Sequence, residues 1–559
     1  MKPLKLLTIL LLLSSNLVVA QKWTPGQKIV QDSRTEDAHF AGAIDIWKNQ
    51  LIIGSFQSDR NPERVDIFEQ DSFGVWNSST SLELTQSGRR REFGRAVTIY
   101  GDYAVVGTPR DGSGLQDSGS CYVYHKTGAH NWELIQKLVP ENPRPSAQFG
   151  SQVNLTDSFL MVSSPDENNS AGAVYLFRLD KSLGTFTQIQ RLTNPFNSIT
   201  ARFGLEIESN PNHLVVSTRN DSVYLYQRND QGDFEFDSVL ASPTSDYEFF
   251  GYDLALENDV LAIAAPYQSY GSPPWRPDSL FRAGIVYLYK YDEGSWVPVK
   301  ELVPPTKRYL GYFGSDIHLR DKRLVIGTGQ DTGVVYVSDR KNGQWVISDS
   351  IIQDHRIDWD GFGLRVAHNG STLVVGAPYH SHDSANKNFV ENAGAVYTFN
   401  LSCEYVQFNN GLTESNGTLI SADENALYRW FDCEDNVGST LGNKQSFEPL
   451  KSGTYAVELS KGQCRDTSAC HYVTSNALIS PIKISEPMVF PNPCDTYLQL
   501  TPTHDYTLAE VIGADGRTLV TQPLIDQSTV STKSLLPGVY FLIVTSKQNT
   551  KRVIRFVRL

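Results

Sequence analysis

A four-part frame recurs seven times in this chain and leaves few folds open to it. In the last copy, Phe362 to Phe399, it reads FGLRVAHNGSTLVVGAPYHSHDSANKNFVENAGAVYTF. An FG pair opens the frame and a short apolar strand follows. A second strand then ends in Gly-Ala-Pro, and a third reads GAVYTF. The same frame starts at Phe93, Phe149, Phe203, Phe250 and Phe313, and a worn copy, FAGAIDIWKNQLIIGS, starts at Phe40. Successive starts lie 47 to 63 residues apart. A period near 50 built only of short strands predicts a β-propeller with one blade per copy, seven in all.

Within a copy, apolar residues alternate or run together for a few positions, as in Val97, Ile99 and then Tyr103-Ala104-Val105-Val106. Alternation marks half-buried strands, and β-branched runs mark strands buried on both faces. Polar turns such as Tyr100-Gly101-Asp102 and Asn369-Gly370-Ser371 signal hairpins between first and second strands. A fourth strand opens on an aromatic in most copies, at Trp132, Phe186, Trp296 and Trp345. The seventh copy lacks one. Trp23 to Val30 resembles Trp132 to Val139 in its opening Trp and its Gln-Lys-(Ile/Leu)-Val close. The N-terminal strand is therefore expected to complete the last blade, which would remove an open sheet edge.

These residues resemble the FG-GAP repeats of the integrin α-chain propeller and its secreted bacterial relatives, over roughly residues 21–400. The resemblance implies fold; one fold hosts many functions. Integrin-type repeats often carry a calcium loop between first and second strands. Here those connections, such as Leu155-Thr156-Asp157-Ser158 and Glu257-Asn258-Asp259, are short and poor in carboxylates, so calcium is not carried over. Asp358-Trp359-Asp360-Gly361 is half such a loop, with Arg356 where the first carboxylate belongs.

Residues 1–20 read as a secretory signal peptide: Lys2 and Lys5, an apolar run, then Val18-Val19-Ala20. No later segment is apolar enough to cross a bilayer, so no transmembrane segment is expected once the signal is removed. Residues 403–485 lack the FG frame. Tyr428 to Cys433 and Gly453 to Val457 resemble the Ig-like modules that often precede secretion domains in Bacteroidota proteins, and predict a small β-sandwich. Cys403, Cys433, Cys464 and Cys470 lie here, and four cysteines allow three pairings. Cys464 and Cys470 flank the expected turn between the last two strands. That favours joining them to each other and leaves Cys403 for Cys433. Metal binding is the alternative, but no C-x-x-C occurs and export favours disulfides. Cys121 reads as a buried thiol.

The last segment, 486–559, resembles the type IX (Por) secretion system C-terminal sorting domain. Val489-Phe490-Pro491-Asn492-Pro493 opens it, Gly513 to Arg517 supplies its turn, and Leu535 to Leu542 and Lys551 to Val557 its final strands. Cys494 is unusual there. The resemblance implies a second, C-terminal β-sandwich, a partner in the type IX machinery, and passage to the cell surface or the medium.

A net charge of −13 argues against a nucleic-acid partner. No H-E-x-x-H, G-x-S-x-G, Walker loop or G-x-G-x-x-G occurs, so no catalytic residue or cofactor is assigned and the chain is read as a non-enzyme. The connections from second to third strand are longest in blades five and seven. Blade five offers Tyr267, Tyr270, Trp275, Arg276 and Arg282; blade seven offers Tyr379, His380, His382, Asp383 and Lys387. Tyr, Trp and Arg dominate binding hot spots, so this face is the candidate site for an extracellular protein or glycan. Loop drift on a scaffold would leave the same residues. His380, His382 and Asp383 lack clear further ligands, and no metal is assigned. The leading reading is a secreted or surface binding protein. Two alternatives are a hydrolase in the central channel and a spacer in a surface assembly. Ala96, Gln152, Glu206, Asp253, Asp316 and Arg365, at one equivalent place of the channel-lining strands, show no shared catalytic type.

Overall fold

The computed structural model describes residues 22–474 and 488–559, apart from 56–62, 72, 85–90, 113–114, 245–247, 271–279, 330–332, 354–358, 435–440, 491–493, 502–505, 514–516, 525–528 and 547–550. The signal-peptide assignment thus falls outside the described residues. Two compact units are present. The first holds everything described up to Phe447, with Thr454–Tyr472; the second holds Glu448–Gly453 and the chain from Val473 to Leu559.

Seven four-stranded antiparallel sheets make up most of the first unit. Their first strands touch one another in an unbroken ring, the seventh against the first. Six sheets are formed by consecutive strands. In the seventh, Trp23–Ile29 pairs antiparallel with Ala395–Leu401, Trp23 opposite Leu401 and Ile29 opposite Val396. The expected closure by the N-terminal strand is what the structure has.

The frame residues explain why blades stack. All seven frame phenylalanines are at most 1 % exposed and sit in the apolar layers between blades. Four of them pair across the blade boundary: Gly119 bridges Phe149, Gly172 bridges Phe203, Gly284 bridges Phe313 and Gly394 bridges Phe40. The glycine before the third strand permits this approach. A Cβ on Gly394 would lie 2.1 Å from the Phe40 carbonyl oxygen, and the residue takes φ +86°. Only glycine meets both demands. FG and GAV are therefore two halves of one inter-blade joint.

After the last blade, Leu412–Ser415, Thr418–Ser421 and Ser446–Phe447 form one small sheet, and Leu427–Asp432, Gly453–Lys461 and Cys464–Thr467 run together in a second. The buried Trp430 stacks on Phe447 at 5.4 Å. This module is fastened to the propeller. Lys48 donates to the Ala426 carbonyl at 3.0 Å with its ammonium 4.6 Å from the Tyr428 ring, and Asn425 donates to Asp321 at 2.7 Å. The disulfides correct the expected pairing: Cys403 joins Cys464 and Cys433 joins Cys470. Cys464 opens an extended segment that carries the chain away from it toward Cys470. The strand Cys464–Thr467 alone runs roughly 10 Å, already beyond disulfide reach. Each cysteine instead meets one from another part of the module, Cα atoms 5.3 and 6.3 Å apart.

The second unit is a two-sheet sandwich. Met488–Phe490, Tyr497–Thr501 and Thr529–Ser531 form one sheet; Thr518–Pro523, Tyr506–Ile512, Gly538–Ser546 and Lys551–Arg558 form the other. Leu498, Leu500, Val511, Leu542, Val544 and Phe556 make its core. Cys494 belongs to that core at 1 % exposure, a small thiol seated where its amide donates to the Val557 carbonyl at 2.8 Å. That placement accounts for the unusual cysteine. Among the described residues no helix is long and apolar enough to cross a membrane.

Candidate functional site

The ring of first strands encloses a cavity of ≈ 1370 Å³. Every second residue of a strand points to the same face, so frame positions from several copies converge on it. Gln152, Glu206, Asp253, Asp316 and Arg365 all line it. Many of these carboxylates are occupied in joining blades. Asp253 accepts the Ile317 amide at 2.5 Å, Asp316 accepts the Val366 amide at 2.6 Å, and Asp45 accepts the Ile99 amide at 2.9 Å. In each case the acceptor lies on one blade and the donor on the next. Gln152 donates to Glu206 at 2.6 Å across another boundary. Burial deep in the channel raises Glu206 to about 8 and Asp316 to about 6, the Arg365 guanidinium working against the rise in both. Asp253 and Glu208 are raised well above the usual carboxylate range by the same burial.

One mouth of the channel has a construction of its own. The residue immediately before each frame phenylalanine has positive φ: His39 (47°), Glu92 (59°), Gln148 (55°), Arg202 (50°), Phe249 (55°), Tyr312 (45°) and Gly361 (77°). Six of the seven are not glycine, and each such residue costs on the order of 1 kcal/mol. The backbone demands the conformation. The Gln148 amide donates to the Asp117 carbonyl and the Arg202 amide to the Ser170 carbonyl of the preceding blade, while Ser151 and Tyr252 close turns back onto Gln148 and Phe249.

The mouth has two unlike sides. On blades two to four it presents Glu92, Gln148 and Arg202. Glu92 is paired with Arg110 at 3.1 Å and Arg202 with Asp166 at 2.8 Å. On blades five and six it is aromatic. Tyr267 meets Phe249 edge-on at 4.8 Å, Tyr252 at 6.0 Å and Tyr312 at 5.5 Å, and the Arg282 guanidinium lies 4.5 Å from the Tyr267 ring. Tyr252 is 40 % exposed. Among the described residues the Tyr252 and Tyr267 hydroxyls and the Gln148 side-chain amide have no hydrogen-bond partner.

Of the residues singled out from sequence, Tyr267 and Arg282 stand in this cluster. Tyr270 donates to the Gly284 carbonyl at 3.1 Å under the Lys307 ammonium. Trp275 and Arg276 lie outside the described residues, as does Asp358. The blade-seven residues turn inward on their own loop. Tyr379 is half-buried against His39. His380 is fully buried, Nδ1 3.2 Å from Asp360, and burial holds it below the usual histidine range. His382 is half-buried against Phe389. Asp383 accepts from the Ala385 and Lys387 amides and from Asn388, and its carbonyl takes Lys28 at 2.6 Å. Asp360, half of the suspected calcium loop, gives its oxygens to the Phe362 amide and to His380. Among the described residues no group of three or more metal-ligating side chains occurs. The mouth residues Phe249, Tyr252, Tyr312 and Gln148 went unread in the sequence, although all four flank FG pairs and could have been found by position.

Comparison with known families now bears on the frame and on the second unit. Residues 84–124 match the FG-GAP repeat, and residues 488–557 match the secretion system C-terminal sorting domain. The chain carries both. The FG-GAP match covers the first three strands of blade two, from the link ahead of Phe93 to Tyr124. The sorting domain implies interaction with the type IX secretion machinery and export to the cell surface or the extracellular space. No curated protein matches the chain. Among solved structures, a putative 6-phosphogluconolactonase from Bacteroides uniformis ATCC 8492 is similar at 11% identity and a TM-score of 0.42, covering 62% of this chain and 95% of that one. So distant a likeness carries no argument about activity.

Proposed function

We propose that this protein is a non-catalytic recognition protein of the cell surface or the medium, with the FG-GAP propeller, residues 21–400, as its binding module. Residues 403–485 act as an Ig-like module behind it, and 486–559 as the sorting domain. The observation that carries the reading is the aromatic cluster of Phe249, Tyr252, Tyr267 and Tyr312 at the channel mouth. Tyrosines with apolar area and hydroxyl tips at a concave mouth are what binding sites use. The test is adhesion or ligand capture by the full chain against Tyr252→Ala with Tyr267→Ala. Binding should fall sharply while the fold persists; unchanged binding would move the site off the mouth. Removing residues 486–559 should abolish surface display and leave capture by purified protein intact.

A channel hydrolase is the second reading, favoured by Glu206 at about 8 near Asp316 at about 6. It is carried less far because Asp253 and Asp316 each spend an oxygen on the next blade's backbone. A turnover lost in Glu206→Gln with binding retained would put it first.

A further inference from the structure

The mouth's polar groups divide into those already satisfied and those left open, and the division points to a class of ligand. Most of the charged ones are matched within the protein: Glu92 with Arg110, Arg202 with Asp166, and Arg365 with Asp316 at 3.6 Å, while the Arg282 guanidinium is covered by the Tyr267 and Phe281 rings. A charged ligand would have to displace these contacts. The uncharged ones are open: the Tyr252 and Tyr267 hydroxyls and the Gln148 side-chain amide have no partner among the described residues. Gln148, Phe249 and Tyr252 line the cavity, and Tyr267 packs against the two aromatic ones. A ligand suited to this has apolar patches that cover tyrosine rings and many neutral hydroxyls that reach an amide and phenols. It is also slim enough to enter a concavity, unlike the broad face of a folded protein, which needs about 800 Å² on each partner.

We propose that the mouth binds an uncharged carbohydrate chain, one sugar ring stacked on Tyr252 and Tyr267 and its hydroxyls held by Gln148 across the opening. This rests on the reading of the mouth as the binding site and names what enters it. The ring of left-handed residues fits the role: backbone fixes where each side chain stands, and residue type is free to set what is read.

The experiment is isothermal titration of the full chain with cello-, laminari-, xylo-, manno- and chito-hexaose. At least one should bind. Tyr252→Ala should weaken that binding about tenfold or more, as loss of a stacking anchor does. Gln148→Ala and Tyr252→Phe, which spare the packing, should each weaken it by roughly threefold, one hydrogen bond apiece. Phe196→Ala, on an exposed aromatic away from the mouth, should leave it unchanged. If none of the five binds, the inference fails. If a protein ligand found independently is lost in Tyr252→Ala while no sugar binds, the mouth stands as the site and the carbohydrate assignment falls. If a sugar binds equally to the wild type and to Tyr252→Ala with Tyr267→Ala, both readings fall.

Discussion

The blade-seven loop and the blade-five-to-six side of the mouth contain the same kinds of residue, tyrosines and histidines or arginines beside carboxylates, yet they end in opposite states. In blade seven the chain itself partners the charged groups, and of the loop's histidines only His380 Nε2 and His382 Nδ1 are left without one among the described residues. Lys28 reaches the Asp383 carbonyl and Arg34 donates to the Ser381 and Asn388 carbonyls, both from the N-terminal stretch. Asp360 holds His380 beneath. At the mouth the rings pack on one another but their polar tips stay open. Residue type alone does not make a site; what separates the two regions is whether the fold itself provides the hydrogen-bond partners. Polar groups satisfied internally add order and stability, and groups left open are available to something else.

That comparison can be broken by mutation. The largest effect is expected where the N-terminal strand anchors blade seven. Trp23 is 1 % exposed in the core of that blade. Trp23→Ala should cost about 3–5 kcal/mol in denaturant unfolding, and faster hydrogen exchange should appear at Ser381 to Asn392 while amides around Tyr252 keep their protection. Loss of protection at both regions together would show that they are not independent. Next comes His380→Ala. It leaves the buried Asp360 short of a partner and should cost about 2 kcal/mol with ligand capture unchanged. A binding defect at intact stability would return blade seven to the site. The reverse is expected for Tyr252→Ala: a stability loss of about 1 kcal/mol or less, since Tyr252 is well exposed, against a loss of capture of about tenfold or more.

The smallest and most diagnostic effect is on pH dependence, where the two regions have opposite signs. Glu206, ordinarily near 4.5, is raised to about 8 in the fold, and Asp316, ordinarily near 3.8, to about 6. The folded state therefore binds more protons. This stabilising contribution is complete below the ordinary values and is lost as pH rises through 6 and then 8. His380 is lowered from 6.5, so there the unfolded state binds the extra proton and stability rises as pH climbs toward 6.5. Thermal midpoints across pH 5 to 8 should show Glu206→Gln flattening the fall on the alkaline side. A profile unchanged by Glu206→Gln would mean that the channel carboxylate titrates normally.

The fold was legible because its signals are chemical. A buried Phe and, in most blades, a glycine that must admit a carbonyl at 2.1 Å leave little choice of residue, so FG and GAV recur in the sequence, with Asp221 at φ 50° taking the glycine's place in blade four. The closure was legible for the same reason: Trp23 repeats the aromatic opening of other fourth strands. The disulfide partners were not. Cys464 and Cys470 are near neighbours in sequence, and only the extended path between them shows that they point to different places. The mouth was not legible either. What recurs before each FG is a backbone conformation, and His39, Glu92, Gln148, Arg202, Phe249 and Tyr312 share no chemistry that a reader of residue types would collect.

The joint between the two ends of the propeller also sets a clock. Thr24 Oγ1 donates to the Asn400 carbonyl, 376 residues further along the chain. At roughly 5–20 residues per second of synthesis, its partner emerges roughly 20 to 75 s later. Through that interval Trp23, nearly dry in the finished protein among residues of the last two blades, has nothing to pack against. A pairing of such long range also forms slowly once both strands exist. The native ring therefore cannot close until its last blade has been made.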